Sequence, residues 1–187
     1  MVEKHYITAQ ELLEDSFRLA LMVLKSGFRP NFIVGVWRGG TPVGIAVQEL
    51  FDVFGVDTDH IAIRTSSYTG IAKRSREVRV HGLGYVFSNI SAADSLLLVD
   101  DVFDTGLSIK AVVDTLRKEA RRNTPDDIRI ATPWFKPANN QTDLVPNYFV
   151  HETGDWLIFP HELDGLTRDE ILAHKAGLRE LYEEFDV

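Results

Sequence analysis

Asp100, Asp101 and Asp104 stand together in the stretch LLLVDDVFDTGLSI, residues 96–109, between an apolar run and the residues Thr105, Gly106, Leu107 and Ser108. Carboxylates so close repel one another unless a bound group uses their charge. Acids in this setting accept hydrogen bonds from sugar hydroxyls or hold a hard cation such as Mg2+. A Thr-Gly-x-Ser segment opening a helix offers unpaired backbone N–H groups and the positive end of the helix dipole to an anion, phosphate above all. A sugar phosphate satisfies both halves of the stretch.

Two other readings fit the segment taken alone. Asp-Asp after a buried strand also occurs in receiver-type phosphoacceptor domains, and Asp-Thr-Gly also serves as a plain helix cap. The elements around the acids bear on the choice. Residues 96–100 read as a fully buried strand and residues 107–122 as the helix that follows. Upstream, residues 32–37 form a short β-rich run, Arg38-Gly39-Gly40 a glycine loop, and residues 41–54 a helical pattern with Pro42 in its first turn. Residues 60–65 and 127–132 read as further strands. Such alternation predicts an α/β fold, a mostly parallel central sheet flanked by helices, with ligands beyond the carboxyl ends of the strands. At the amino end, residues 8–27 are an amphipathic helix that Thr8 and Glu11 open as a capping box and Gly27 stops. Thr167 and Glu170 repeat that box before a final helix to residue 185, and residues 148–150 and 156–159 read as short strands. Residues 66–79, SSYTGIAKRSREVR, are polar and without apolar period, so they read as a long functional loop.

The 187 residues, 44% of them hydrophobic, suit a single domain with an ordinary core. No run of about 18 apolar residues spans a bilayer, and the opening MVEKHYITAQELLEDSF lacks a signal-peptide core, so a cytoplasmic chain is expected. Cys is absent, which excludes disulfides and thiolate metal sites. A formal net charge of -8 argues against stable nucleic-acid binding, which needs Lys and Arg on phosphates.

VDDVFDTGLS closely resembles the phosphoribosyl-diphosphate (PRPP) binding motif of type I phosphoribosyltransferases: an apolar strand, two acids, two spacers, then Asp-Thr-Gly-x-Thr/Ser. GVWRGGTPVG is similar to that family's diphosphate loop, SSYTGIAKRSREVRV to its mobile catalytic loop, and WFKPA followed by DWLIFP to the purine pocket of its 6-oxopurine branch. The resemblance covers about residues 30–165. It implies one domain of core plus small hood, with helices 8–27 and 167–185 outside the common core.

What the resemblance implies about chemistry is specific. Asp104, in the position before Thr-Gly where adenine enzymes usually carry Ala, would lie near the purine imidazole and either take its proton or stabilise charge developing on the ring; its bland alternative is a helix N-cap. Asp100 and Asp101 would hold the ribose, and Asp101, with Asp100 and more weakly Glu162, the Mg2+. Thr105, Gly106, Leu107 and Ser108 would hold the 5-phosphate, and Arg38 and Gly39 the diphosphate, across a non-proline cis peptide at Trp37–Arg38. Ser67 and Tyr68 would act in the catalytic loop, whose Lys73, Arg74, Arg76 and Arg79 make a basic lid. Lys136, Trp156 and Leu157 would hold the base. Trp37 and His161 depart from the residues expected at their positions. A homodimer or homotetramer is implied, with the first helix a contact. Rival readings are a phosphoribosyltransferase for uracil or adenine, an RNA-binding regulator of the same fold, and a PRPP-binding module without turnover.

Overall fold

The computed structural model describes residues 4–69, 76–175 and 177–185. The chain forms two compact units, Leu13–Gly154, and Met1–Leu12 with Asp155–Val187.

The larger unit is built on a seven-stranded sheet. Its strands are β2 (Phe32–Trp37), β3 (Asp59–Thr69), β4 (Arg76–His81), β5 (Ser95–Val99), β6 (Val102–Phe103), β7 (Asp127–Phe135) and β8 (Tyr148–Glu152). They run β4-β3-β2-β5-β7, with β6 and β8 both on β7. All pairs are parallel except β3 with β4. Helix α1 (Ala9–Lys25) precedes this sheet, α2 (Gly40–Val53) joins β2 to β3, and α3 (Gly84–Asn89) and α4 (Leu107–Ala120) follow β4 and β6.

The apolar runs of β2 and β5 are continuous because both faces of these strands are buried. Phe32, Val34, Leu96 and Leu98 share one core with Val86 of α3 and Val112 and Leu116 of α4. Ile33, Leu97 and Val99 are buried on the opposite face. There α2 crosses β2 almost backbone to backbone, since a Cβ on Gly35 would lie 3.2 Å from the Gly40 carbonyl oxygen and one on Gly44 3.7 Å from Gly35 Cα.

The polar stretch at residues 66–79 differs from the expectation of a loop. β3 continues through Thr69, and β4 pairs with it antiparallel from Arg76, so most of the stretch is a β-hairpin. A hairpin arm held by main-chain hydrogen bonds needs no apolar alternation, which is why periodicity did not reveal it. Lys73 and Arg74 lie outside the described residues, as do the side chains of Ser67, Tyr68 and Arg76.

In the smaller unit β1 (Lys4–Tyr6) pairs parallel with β9 (Trp156–Ile158). The predicted final helix is two helices, α5 (Arg168–His174) and α6 (Leu178–Phe185). The break comes at Gly177, whose φ of 84° is the left-handed conformation that ends a helix. Both halves of the expected capping box at Thr167 and Glu170 are formed. Glu170 also accepts from Lys4 and from the Tyr6 hydroxyl, tying α5 to β1. The bond from Lys4, then the Thr167 N–H, hold its carboxyl down at about 2.

Candidate active site

β5 ends at Val99 and the chain passes through Asp100 and Asp101 before β6 resumes against β7 with the register unchanged: Val99 stands opposite Ala131, Val102 opposite Trp134. The two acids therefore leave the sheet at its carboxyl edge without displacing the strand. Asp101 is 9% exposed. Burial pushes the Asp100 carboxyl well above the ordinary range, the charge of Asp101 pushes it the same way, and the N–H groups of Asp101 and Gly40 donate to it in opposition.

The glycine loop after β2 closes onto this pair. The Trp37–Arg38 peptide is cis, as the resemblance implies. A Cβ on Gly39 would fall 1.7 Å from Asp101 Oδ2, and one on Gly40 would fall 2.4 Å from the Val99 carbonyl oxygen. Only glycine lets the Arg38 loop and the acid pair approach so closely. Arg38 itself is exposed.

Beyond the acids the main chain turns through Thr105 and Gly106 into α4. Gly106 is the residue before the helix, with φ of 75°, and supplies no side-chain cap. A side chain there would meet the Phe103 ring at 2.7 Å and Thr142 Oγ1 at 2.6 Å. The turn walls a cleft of about 220 Å³ lined by Asp100, Asp101, Asp104, Thr105, Gly106 and Ser108. Three acids and the turn that opens α4 thus line one cleft, the combination expected to suit a sugar phosphate.

Asp104 does not cap the helix. Its Oδ2 lies 3.5 Å from Lys136 Nζ, and its Oδ1 accepts from Asn139 Nδ2 at 2.7 Å. The pairing of Phe103 with Phe135 across β6 and β7 carries Asp104 and Lys136 out of the sheet side by side. Lys136, 6% exposed, donates its own N–H to the Phe103 carbonyl at 2.9 Å. Pro137 opens a single 3-10 turn, closed by the Asn139 N–H on the Lys136 carbonyl at 3.1 Å, and this brings Asn139 under the carboxylate. Asn139 was not singled out from sequence; its only signal was its place in the turn after Lys-Pro.

The remaining predicted residues fall elsewhere. Ser67 and Tyr68 lie on β3 opposite Val78 and Glu77, and Arg79 opposite Ser66. Trp156, Leu157 and Glu162 belong to the smaller unit. There Trp156 is exposed opposite Lys4, and Leu157 is buried opposite His5. Glu162 accepts from the Phe159 N–H at 3.0 Å, and His161 stacks on the Phe159 ring. Among the described residues no three His, Cys, Asp or Glu side chains converge in a metal-binding group, and no helix is long and apolar enough to cross a membrane.

At the carboxyl edge of a mostly parallel sheet the acids and the turn into α4 line one cleft, and the glycine loop after β2 closes onto the acid pair, the place where α/β folds bind ligands. The profile of the phosphoribosyl transferase domain family matches residues 6–164, and the chain belongs to that family of transferases. Solved structures agree in fold. A purine phosphoribosyltransferase from Pyrococcus horikoshii Ot3 is 27% identical, with 88% of this chain and 98% of that one covered and a TM-score of 0.68. The xanthine-guanine-hypoxanthine phosphoribosyltransferase of Helicobacter pylori is 19% identical over 97% of this chain and 99% of that one, TM-score 0.68. A hypothetical protein from Neisseria gonorrhoeae with bound ppGpp is 18% identical over 94% of this chain and 97% of that one, TM-score 0.74.

Proposed function

We propose that the chain moves the 5-phosphoribosyl group of PRPP onto a 6-oxopurine base, hypoxanthine, guanine or xanthine, releasing diphosphate and the purine nucleoside monophosphate in purine salvage. The observation that carries this reading is the Asp104–Lys136 pair, a carboxylate and a buried ammonium 3.5 Å apart beside the phosphate turn. Similarity to the purine phosphoribosyltransferase of P. horikoshii supports it.

Lys136 carries donors only, so it suits the 6-oxo acceptor and opposes the 6-amino donor of adenine. As the purine nitrogen bonds to C1 of the ribose and the bond from C1 to the diphosphate oxygen breaks, Asp104 takes the imidazole N–H proton. Asn139 holds that carboxylate in place. Asp100 and Asp101 accept from the ribose hydroxyls as positive charge grows on the ring, and the N–H groups of residues 105–108 hold the 5-phosphate. Arg38 and the bare backbone of Gly39 meet the diphosphate.

The acid pair fits Mg2+. Asp100 is pushed up by burial and by its neighbour's charge, which a hard cation relieves, and Mg2+ takes one or two carboxylates with the rest of its shell from substrate oxygens and water. When bound it neutralises charge on the diphosphate.

A panel of hypoxanthine, guanine, xanthine, adenine and uracil, each with PRPP and Mg2+, tests the proposal through diphosphate release. Oxopurines are expected to exceed adenine by roughly 10⁴ in kcat/KM, because a donor facing a donor leaves both unpaired. Equal efficiency with adenine would overturn the role of Lys136 and the branch assignment together.

A further inference from the structure

The turn that opens α4 has a positive φ at Gly106 and no side-chain cap. The helix holds the far side of this residue, whose carbonyl accepts from the Lys110 N–H at 2.9 Å. The peptide before it, from Thr105 to Gly106, is trans, so its C=O and N–H point in opposite directions. Turning that peptide over would carry Gly106 to negative φ, which glycine accepts as readily. A flip would put a carbonyl oxygen where an N–H had been, and the oxygen repels the anion that the N–H attracts. A phosphate turn built on glycine therefore needs an outside contact to choose between the two states.

The contact comes from the segment after β7. The Gln141 N–H donates to the Thr105 carbonyl at 3.0 Å, which keeps the Gly106 N–H on the side away from residue 141. Thr142 Oγ1 and the Phe103 ring close on Gly106, 2.6 and 2.7 Å from where a Cβ would be. The cleft is lined by residues 100–106, 108 and 109, so the segment stands behind the turn and outside the cleft. It is stiffened by its own side chains. Asn140 Oδ1 accepts from the Thr142 N–H and hydroxyl, both at 2.9 Å, and its Nδ2 donates to the Leu144 carbonyl at 2.8 Å. The Leu144 N–H closes back on Thr142 Oγ1 at 3.3 Å. Leu144 packs on the core, and Asp143 pairs with Lys110 of α4 at 3.6 Å.

We propose that residues 140–142 brace the 5-phosphate turn: Asn140 and Thr142 are positioning residues, and the Gln141 main-chain N–H is the contact that keeps the Gly106 N–H turned to the phosphate. The inference rests on the proposed reaction, since the phosphate is that of PRPP and of its product. Neighbours in one loop then divide the roles. Asn139 holds Asp104 and so serves turnover, whereas residues 140–142 serve recognition of the phosphate.

Inosine 5-monophosphate and inosine differ only in the phosphate, and their dissociation constants by calorimetry, beside steady-state kinetics with PRPP varied, test the brace. Gln141→Pro deletes the N–H, and Asn140, at φ −60° and ψ 126°, already has the conformation that a following proline requires. This variant is expected to weaken binding of the monophosphate about 10-fold or more and to raise KM for PRPP alike, with inosine unaffected. Gln141→Ala keeps the N–H, loses only an exposed side chain, and should match wild type throughout. Thr142→Val should weaken the monophosphate and raise KM for PRPP with little change in kcat, and Thr142→Ser, which restores the hydroxyl, should recover both. Thermal melting verifies folding; if Gln141→Pro melts below the assay temperature, Thr142→Val against Thr142→Ser carries the same test. Equal wild-type affinity for inosine and its monophosphate would remove the phosphate reading of the turn, the proposed reaction and the brace together. A wild type that prefers the monophosphate, with Gln141→Pro and Thr142→Val keeping that preference, would overturn the brace alone. So would an equal loss of inosine and monophosphate binding, because a general structural defect does not distinguish the two.

Discussion

Gly39→Ala and Gly40→Ala are adjacent, chemically identical changes that the geometry separates. At Gly39 the new methyl would lie 1.7 Å from Asp101 Oδ2. Ordinary contact begins near 3.4 Å, so the carboxylate must retreat by about 1.7 Å. A side chain can do this by leaving its rotamer, at a cost of about 1 kcal/mol. Misplacement of a substrate-holding group by ~1 Å can cost ~10² in rate, so kcat/KM for PRPP should fall at least that far while stability changes little. At Gly40 the methyl would meet main chain instead, the Val99 carbonyl oxygen at 2.4 Å and Asp100 Cα at 2.8 Å. Main chain in a buried strand cannot swing aside, and overpacking of this kind costs about 1–3 kcal/mol or more. Gly40→Ala should therefore lower the urea midpoint clearly, whereas Gly39→Ala should spare it. Gly154→Ala, with nothing within 4 Å, is the control expected to change neither. Steady-state kinetics with PRPP varied, beside urea unfolding of the same preparations, gives both readouts. Wild-type kcat/KM in Gly39→Ala would refute the close approach of the loop to Asp101, and equal stability loss in both variants would refute the distinction between side chain and backbone.

Asp104→Asn removes the proton acceptor and should lower turnover by roughly 10² to 10⁴ with a nearly unchanged melting temperature, since the helix does not depend on it for a cap. Asn139→Ala deletes the 2.7 Å bond to Asp104 and should cost about tenfold in kcat, with PRPP affinity by calorimetry unaffected. For Asp100→Asn we expect opposite signs in two assays: weaker PRPP binding, but a higher melting temperature of the free enzyme at pH 7. A carboxyl raised by burial and a like charge contributes stability only while protonated and loses it as pH rises through its folded pKa, and the amide escapes that loss. Glu170, held at about 2 against an ordinary 4.5, works in reverse: its contribution is present above 4.5 and disappears as pH falls toward 2. Unfolding free energies of wild type and Glu170→Gln should therefore differ at neutral pH and converge by pH 2; a constant gap would refute the link.

What could be read from the chain alone is what local chemistry dictates. Residues 32–37 are predicted and observed as the same strand, because residues 32–36 are buried on both faces and must be apolar or bare there. Both capping boxes form as written, since Thr and the Glu three residues on meet within one helical turn. The acids, the Thr-Gly turn and the following helix were legible for the same reason, being consecutive. The hairpin of β3 and β4 was not, because main-chain pairing leaves no mark on a polar sequence. Nor was the division of the last helix, where an apolar period running through Gly177 concealed its left-handed φ. The meeting of Asp104 with Lys136 and Asn139 was decided by the tertiary structure, through the register of β6 on β7 and a turn set by Pro137. Tertiary contact also decided that Gly39 must be glycine: the atom that excludes a side chain there belongs to Asp101, a residue far along the chain that only the pairing of β2 with β5 brings near.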